Sequence, residues 1–231
     1  MRPVIKREFS RAEWLIIIVN LIPVYGVWFL GWSAVEAFIV YALETLLIGF
    51  MTILKLGIAT IAKRKDTWYN QGSSSQASGL FFIFFFTMHY GLFALVQSSI
   101  FAQSAGINPP GKGMTYFFFH WYEYINRDIA IMMAGFVASY FFRSLLPFIR
   151  KKQYLAYPMM LIMFQPYGRV FVQQFTVILG SMFLGFGFDK AFILVFALAK
   201  AFFEGLIDFD GLIRKSMDDL TEKSEPGVGR P

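Results

Sequence analysis

"VEAFIVYALETLLIGFMTILKLGIATI", residues 35–61, carries only three charged side chains, Glu36, Glu44 and Lys55. A bilayer core about 30 Å thick is crossed by roughly 20 mostly apolar residues in helical form, so this run is long enough to span one. Its apolar positions are continuous and lack the alternation of a barrel strand, which argues for a helix.

Five further stretches have the same character: 14–32, 80–102, 128–149, 170–187 and 191–209. The third of the six spans holds "FFIFFFTMHYG" (81–91), a run of phenylalanine interrupted by His89. Composition agrees. The chain is 57% hydrophobic and 16% charged, against about 25% charged residues in an average soluble domain. Without cysteine, disulfides, thiolate metal sites and covalent haem attachment are excluded. The reading is an all-α, polytopic membrane bundle of about six helices. Residues 1–13 form a basic arm, 14–210 the transmembrane domain, and 211–231 a polar, disordered tail.

Lysine and arginine set the orientation. Arg2, Lys6, Arg7 and Arg11 precede the first span; Lys63, Arg64 and Lys65 follow the second. Arg143, Arg150, Lys151, Lys152 and Arg169 lie around the fourth-to-fifth connection, and Arg214, Lys215, Lys223 and Arg230 in the tail. Six spans put all four groups on one side and leave only Lys112, Arg127 and Lys190 opposite. By the positive-inside rule both termini are then cytoplasmic, in a cell's inner membrane. The net charge of +6 is accounted for by this bias, so nucleic acid is not an expected partner. The lipid bilayer is one, and a homo-oligomer stays open.

Between the spans, residues 70–79 read as a flexible cytoplasmic loop and "TYFFFHWYEY" (115–124) as an aromatic girdle at the headgroup level, with His120 in it. Segment 154–165 is apolar but too short to span; it lies in the interface or forms a broken lead-in to helix five. Pro23 is expected to kink helix one. Gly49, Gly57, Gly180, Gly185 and Gly187 are expected to let helices approach closely.

Ionisable and amide side chains inside spans are costly and therefore mark function. Glu44 and Lys55 are three helical turns apart and share a face, too distant to pair with each other. His89 and Gln97 are read as roughly cofacial. Lys200, Glu204 and Asp208 form a stripe on helix six, where Lys200 and Glu204 can pair. Arg169, Gln173 and Gln174 open helix five, and helix four offers Ser139 and Tyr140. His89 lies about 14 Å into its span, at a depth similar to Lys55, Gln174 and Glu204. The expected pocket is Glu44, Lys55, His89, Gln174, Lys200 and Glu204, with Tyr140, Arg169, Gln173 and Asp208 near it. A structural polar network is the alternative for the same residues, with Lys55 and Asp208 snorkelling at helix ends.

Four blocks in order, "YALETLLIGFMTILKLG" (41–57), "FFFTMHYGLF" (84–93), "PYGRVFVQQFTVILG" (166–180) and "ALAKAFFEGLID" (197–208), resemble those of an uncharacterised family of small prokaryotic polytopic membrane proteins with a domain of unknown function. The family's Tyr-Trp-x-Glu resembles Tyr41, Ala42 and Glu44 here, without the Trp; its His-Tyr-Gly is kept as His89, Tyr90 and Gly91. Ser139 and Tyr140 stand where members carry Ser-His, and Gln173 and Gln174 where they carry a further His. Its Lys and Asp on helix six resemble Lys200 and Glu204. The resemblance implies a metal or proton site, of which this chain keeps one imidazole; a metal, if bound, would use His89 and Glu204. No cofactor is implied.

GxSxG, HExxH, Walker A and GxGxxG are absent from the chain. Three readings remain: a small solute, ion or proton transport-like protein with an intramembrane polar pocket; an intramembrane enzyme, metal- or lipid-dependent; and a structural or assembly subunit.

Overall fold

The structure is a computed structural model that describes residues 11–70, 73–168, 170–171, 186, 193–194, 197–198, 211, 215 and 219. Helix α1 spans Arg11–Phe29 and holds Pro23. It ends where Trp32 folds back over Gly26: a Cβ there would sit 1.7 Å from the Trp32 ring. Gly31 supplies the positive φ of +73° that the turn needs.

Helix α2, Ala34–Lys63, opens with a capping box in which Ser33 and Glu36 satisfy each other's end of the first turn. Helix α3 is Gly79–Ser104, capped by the Ser78 hydroxyl, which accepts from Phe81 N–H. The fourth long segment is continuous from Arg127 to Arg150 but not uniform: α5 (Arg127–Tyr140), a π-helical turn (Phe141–Leu145), then α6 (Leu146–Arg150). Pro147 explains the turn. It has no N–H to give, and its ring would strike the carbonyl four residues back. Widening the helix relieves that clash, and the Leu146 N–H reaches Phe141, five residues back. Three segments, Ala34–Lys63, Gly79–Ser104 and Arg127–Arg150, are long and apolar enough to cross a membrane. α2 packs against both α3 and α5, and α1 against α5.

The stretch 65–78 corrects the sequence reading. It is a two-stranded antiparallel hairpin, β1 (Lys65–Asn70) with β2 (Ser73–Ser78), paired from Lys65–Ser78 to Asn70–Ser73. The fold is therefore mostly helical but not all-α. An isolated hairpin is marginal in water, and this one is anchored. Trp68 packs its ring on Phe81, Phe82 and Phe85 of α3 at 5.3–5.8 Å. At its base, the missing side chain of Gly79 leaves room for Thr60, which a Cβ would meet at 2.3 Å.

Segment 154–165 is broken near its start. Helix α7 (Gln153–Ala156) stops at Tyr157–Pro158, and a second helix, α8, covers 159–168. Met159 to Met163 are all buried, which an interfacial helix lying on the bundle would not achieve. Asp66 of the hairpin fixes the break, accepting from Met159 N–H at 2.8 Å and from Lys63 Nζ at 3.1 Å. Lys63 also donates to the Tyr157 carbonyl at 2.6 Å.

Residues 116–124 form α4 (Tyr116–Phe119) and a 3-10 turn (Trp121–Tyr124). His120 stacks on Tyr116 with centroids 4.0 Å apart. The Tyr116 hydroxyl donates to Glu123 at 2.7 Å, and that bond first, with burial and the carboxylate's charge, pushes the phenol up to about 12. The expected fifth and sixth helices fall mostly outside the described residues, as do Arg169, Gln173, Gln174, Lys200, Glu204 and Asp208. Of the tail, Gly211, Lys215 and Asp219 are described, and they are helical.

Candidate functional site

Glu44 is 1% exposed, and its carboxylate accepts a 2.8 Å hydrogen bond from the Tyr140 hydroxyl. Tyr140 is the last residue of α5 before the π turn. Four residues on, Ser144 accepts from the Lys55 ammonium at 2.7 Å, and Lys55 also lies 5.4 Å over the Phe148 ring. Glu44 and Lys55 thus look from one face of α2 toward one helix, as their spacing predicts, and each finds a hydroxyl there.

Between these two contacts lies a cavity of about 50 Å³. Its polar wall is Thr52, Lys55, Tyr140, Ser144 and Gln165, and Pro166 of α8 closes one side. At about 10–15 Å³ for each water, it accommodates a few waters or one small polar ion. The π turn contributes directly. Ser139, Tyr140, Arg143 and Ser144 fall in or beside it, and Arg143 Nη1 donates to the Ser139 hydroxyl at 3.2 Å. Such turns put side chains where an ordinary helix would not.

A second polar layer lies on the neighbouring side of α2. The Tyr90 hydroxyl donates to the Thr45 carbonyl at 2.7 Å, and the Thr45 hydroxyl to Gln97 Oε1 at 3.4 Å. Thr45 and Gln97 are each 1% exposed. Gln97 Nε2 is buried and has no hydrogen-bond partner among the described residues. Tyr90 reaches this position because Gly49 has no side chain: a Cβ there would lie 2.6 Å from the Tyr90 ring.

His89 is exposed and does not line this cavity; its expected partners Gln174 and Glu204 lie outside the described residues. The buried stripe of α3 runs through Phe82, Phe86, Tyr90, Ala94, Gln97 and Phe101. Eight residues turn a helix about 80° past two full turns, whereas the seven from Tyr90 to Gln97 fall about 20° short, so Tyr90 is the cofacial partner. His89 instead holds the Tyr167 hydroxyl with Nδ1 at 2.6 Å and stacks on Phe85. Among the described residues, no three of His, Asp and Glu come together as a metal site.

The structure therefore unites Glu44, Lys55 and Tyr140 and separates His89 from them. Thr45, Thr52, Tyr90, Ser144, Gln165 and Tyr167 were missed from sequence. Thr52 and Ser144 carried a weak signal, since each is a hydroxyl within a turn of a residue already singled out.

A buried carboxylate and a polar cavity, set among helices long and apolar enough to cross a membrane, define a mostly helical protein with a polar site in an apolar bundle. The chain belongs to a family of unknown function, DUF6498, whose model matches residues 5–223. No curated protein and no solved structure matches it.

Proposed function

We propose that the chain is a six-helix protein of the cell's cytoplasmic membrane, with both termini cytoplasmic, and that it is transport-like. Its working site is the cavity between α2 and the π turn, which takes a small polar solute, an ion or a proton. One observation carries this reading: Lys55 and Tyr140 line a polar cavity among helices of spanning length, and the buried Glu44 carboxylate accepts from the Tyr140 hydroxyl. Intramembrane ionisable groups of this kind mark solute and proton pathways. The basic groups flanking the spans support the orientation.

The structural-subunit reading also has an observation in its favour. Tyr140 with Glu44, and Lys55 with Ser144, are pairs that join α2 to the end of α5 and to the π turn, which is all a structural subunit requires of them.

The chain has no cysteine, so single cysteines separate the two readings. In membrane vesicles, Ser144→Cys and Thr52→Cys should react with a small charged methanethiosulfonate, while the exposed, lipid-facing Phe84→Cys should not. Silence at both cavity positions, with Ser75→Cys in the hairpin reactive, would favour the structural subunit and overturn the pocket.

A further inference from the structure

A second, larger space lies against α2 and α5. It measures about 700 Å³, within the roughly 300–1,000 Å³ typical of ligand sites. Leu47 and Phe50 of α2, Met133 and Val137 of α5, and Phe119 and Trp121 of the aromatic segment line it. Phe50, Phe119, Trp121 and Val137 are exposed, so it is a groove rather than a closed cavity. Of its ten described lining residues, Trp121 alone carries a side-chain N–H or O–H.

Those walls decide what can fill it. A water needs two to four polar partners, and the lining offers a single donor. Left empty, the lining atoms would lose their contacts on one side. A partner's spanning helix packs along about 30 Å, whereas the groove covers α2 only from Leu43 to Phe50, about 10 Å. That stretch lies roughly 14–24 Å along α2 from its start at Ala34, at the depth of lipid hydrocarbon. Alkyl chains are the medium there. Lipid tails are as apolar as leucine, so no hydrophobic gain selects one chain over another. Shape does: the groove contacts a chain from three elements at once, where a single helix face offers one.

We propose that the groove holds one acyl chain of a membrane phospholipid as a resident ligand, with the Trp121 indole N–H donating to the ester carbonyl at the chain's head. Tryptophan combines an apolar body with one polar tip, which matches that junction. Such a site requires the membrane location proposed above, and nothing of the polar cavity.

The full chain in liposomes, with a phosphatidylcholine that carries a diazirine midway along one acyl chain, tests this. After illumination, adducts mapped by mass spectrometry should concentrate at residues 43–50 and 133–137, above their level on the exposed face of α3 around Leu92. Leu47→Trp fills the groove and should remove the excess at 133–137. Leu92→Trp should leave that excess intact, and Trp121→Phe should lower it. Should Leu47→Trp fail to elute as a folded species, Val137→Trp reads the same loss at 43–50.

Equal labelling of groove and α3, unchanged by a folded filling variant, would mean ordinary surrounding lipid and overturn the site. Adducts on α3 alone, with copies of the chain cross-linking through Phe119, would give the groove to a second copy and also overturn it. Both results leave the membrane reading standing. A folded chain without adducts anywhere would overturn that reading and the site together.

Discussion

The Tyr140 hydroxyl and the Glu44 carboxylate meet at 2.8 Å across 96 positions of sequence, with Glu44 almost wholly buried. A donor to a buried carboxylate is worth more than an ordinary hydrogen bond, about 1.5–3 kcal/mol. Tyr140→Phe should therefore lower stability in detergent by that amount. Adding Glu44→Gln should cost less than the sum of the two single changes, because the second removes the charge that the first left short of a donor. Strictly additive losses would show that the bond contributes no coupling.

Gly49 and Gly57 look equivalent in sequence, two glycines on one helix eight residues apart. The structure separates them. An added methyl at Gly49 runs into the Tyr90 ring at 2.6 Å, whereas at Gly57 it meets nothing within 4 Å among the described residues. Of the two, only Gly49 therefore has a close neighbour among the described residues. Gly49→Ala should cost roughly 1–3 kcal/mol by overpacking and should disturb the Tyr90 bond to Thr45. Gly57→Ala should be neutral or gain up to about 1 kcal/mol from helix propensity. Unfolding titrations of both variants check the contrast, and equal effects would sink it.

Sequence made the long helices legible because an uninterrupted apolar run of that length has few alternatives. It placed α2 and α3 within a residue or two and related Glu44 to Lys55 through helical pitch alone. It failed on the facing of α3, where phenylalanine surrounds the helix and leaves no polar side to set the phase. Tyr90 rather than His89 therefore proved to be the inward residue. The hairpin was hidden for a different reason. "KDTWYN" and "SSSQAS" show little apolar alternation, and what fixes them is distant packing, with Trp68 on α3 and Asp66 on the start of α8. The π turn needed Pro147 to be read as a strain to be relieved rather than a helix end.

Asp66 acts as a helix cap supplied from outside the helix. Its carboxylate accepts from Met159 N–H at the first turn of α8 and from Thr67 N–H, both at 2.8 Å. Asp66→Ala should cost about 1 kcal/mol, as loss of an ordinary N-cap does. Amide exchange should quicken over residues 157–163 and across the hairpin together, while Asp66→Asn, which keeps one acceptor oxygen, should lose less. Unchanged exchange over 157–163 would mean that α8 starts without help from the hairpin.

Orientation gives a prediction independent of the pocket. Lys63, Arg64 and Lys65 adjoin the hairpin, and Lys112 is the only basic residue in the loop 105–115. Reporter fusions at residues 70 and 110 should therefore report opposite sides of the membrane, with 70 cytoplasmic. Both on one side would contradict the six-helix arrangement with cytoplasmic termini.

His89 and Tyr167 form a contact of their own beside the cavity. Tyr167 Oη and His89 Nδ1 approach to 2.6 Å and share one hydrogen bond. Tyr167 also sets its ring edge-on to Phe86, Tyr90 and Phe93, so it ties α8 to the aromatic side of α3. The bond is single and its imidazole exposed, so His89→Phe and Tyr167→Phe should each cost about 1 kcal/mol. The double variant should be little worse than either, since each single change already breaks the same bond. Reactivity of Ser144→Cys should survive His89→Phe, because the cavity is walled by α2, the π turn and Gln165, with no contribution from the imidazole. Loss of that reactivity in a folded His89→Phe protein would return His89 to the pocket and overturn its assignment as a helix tether.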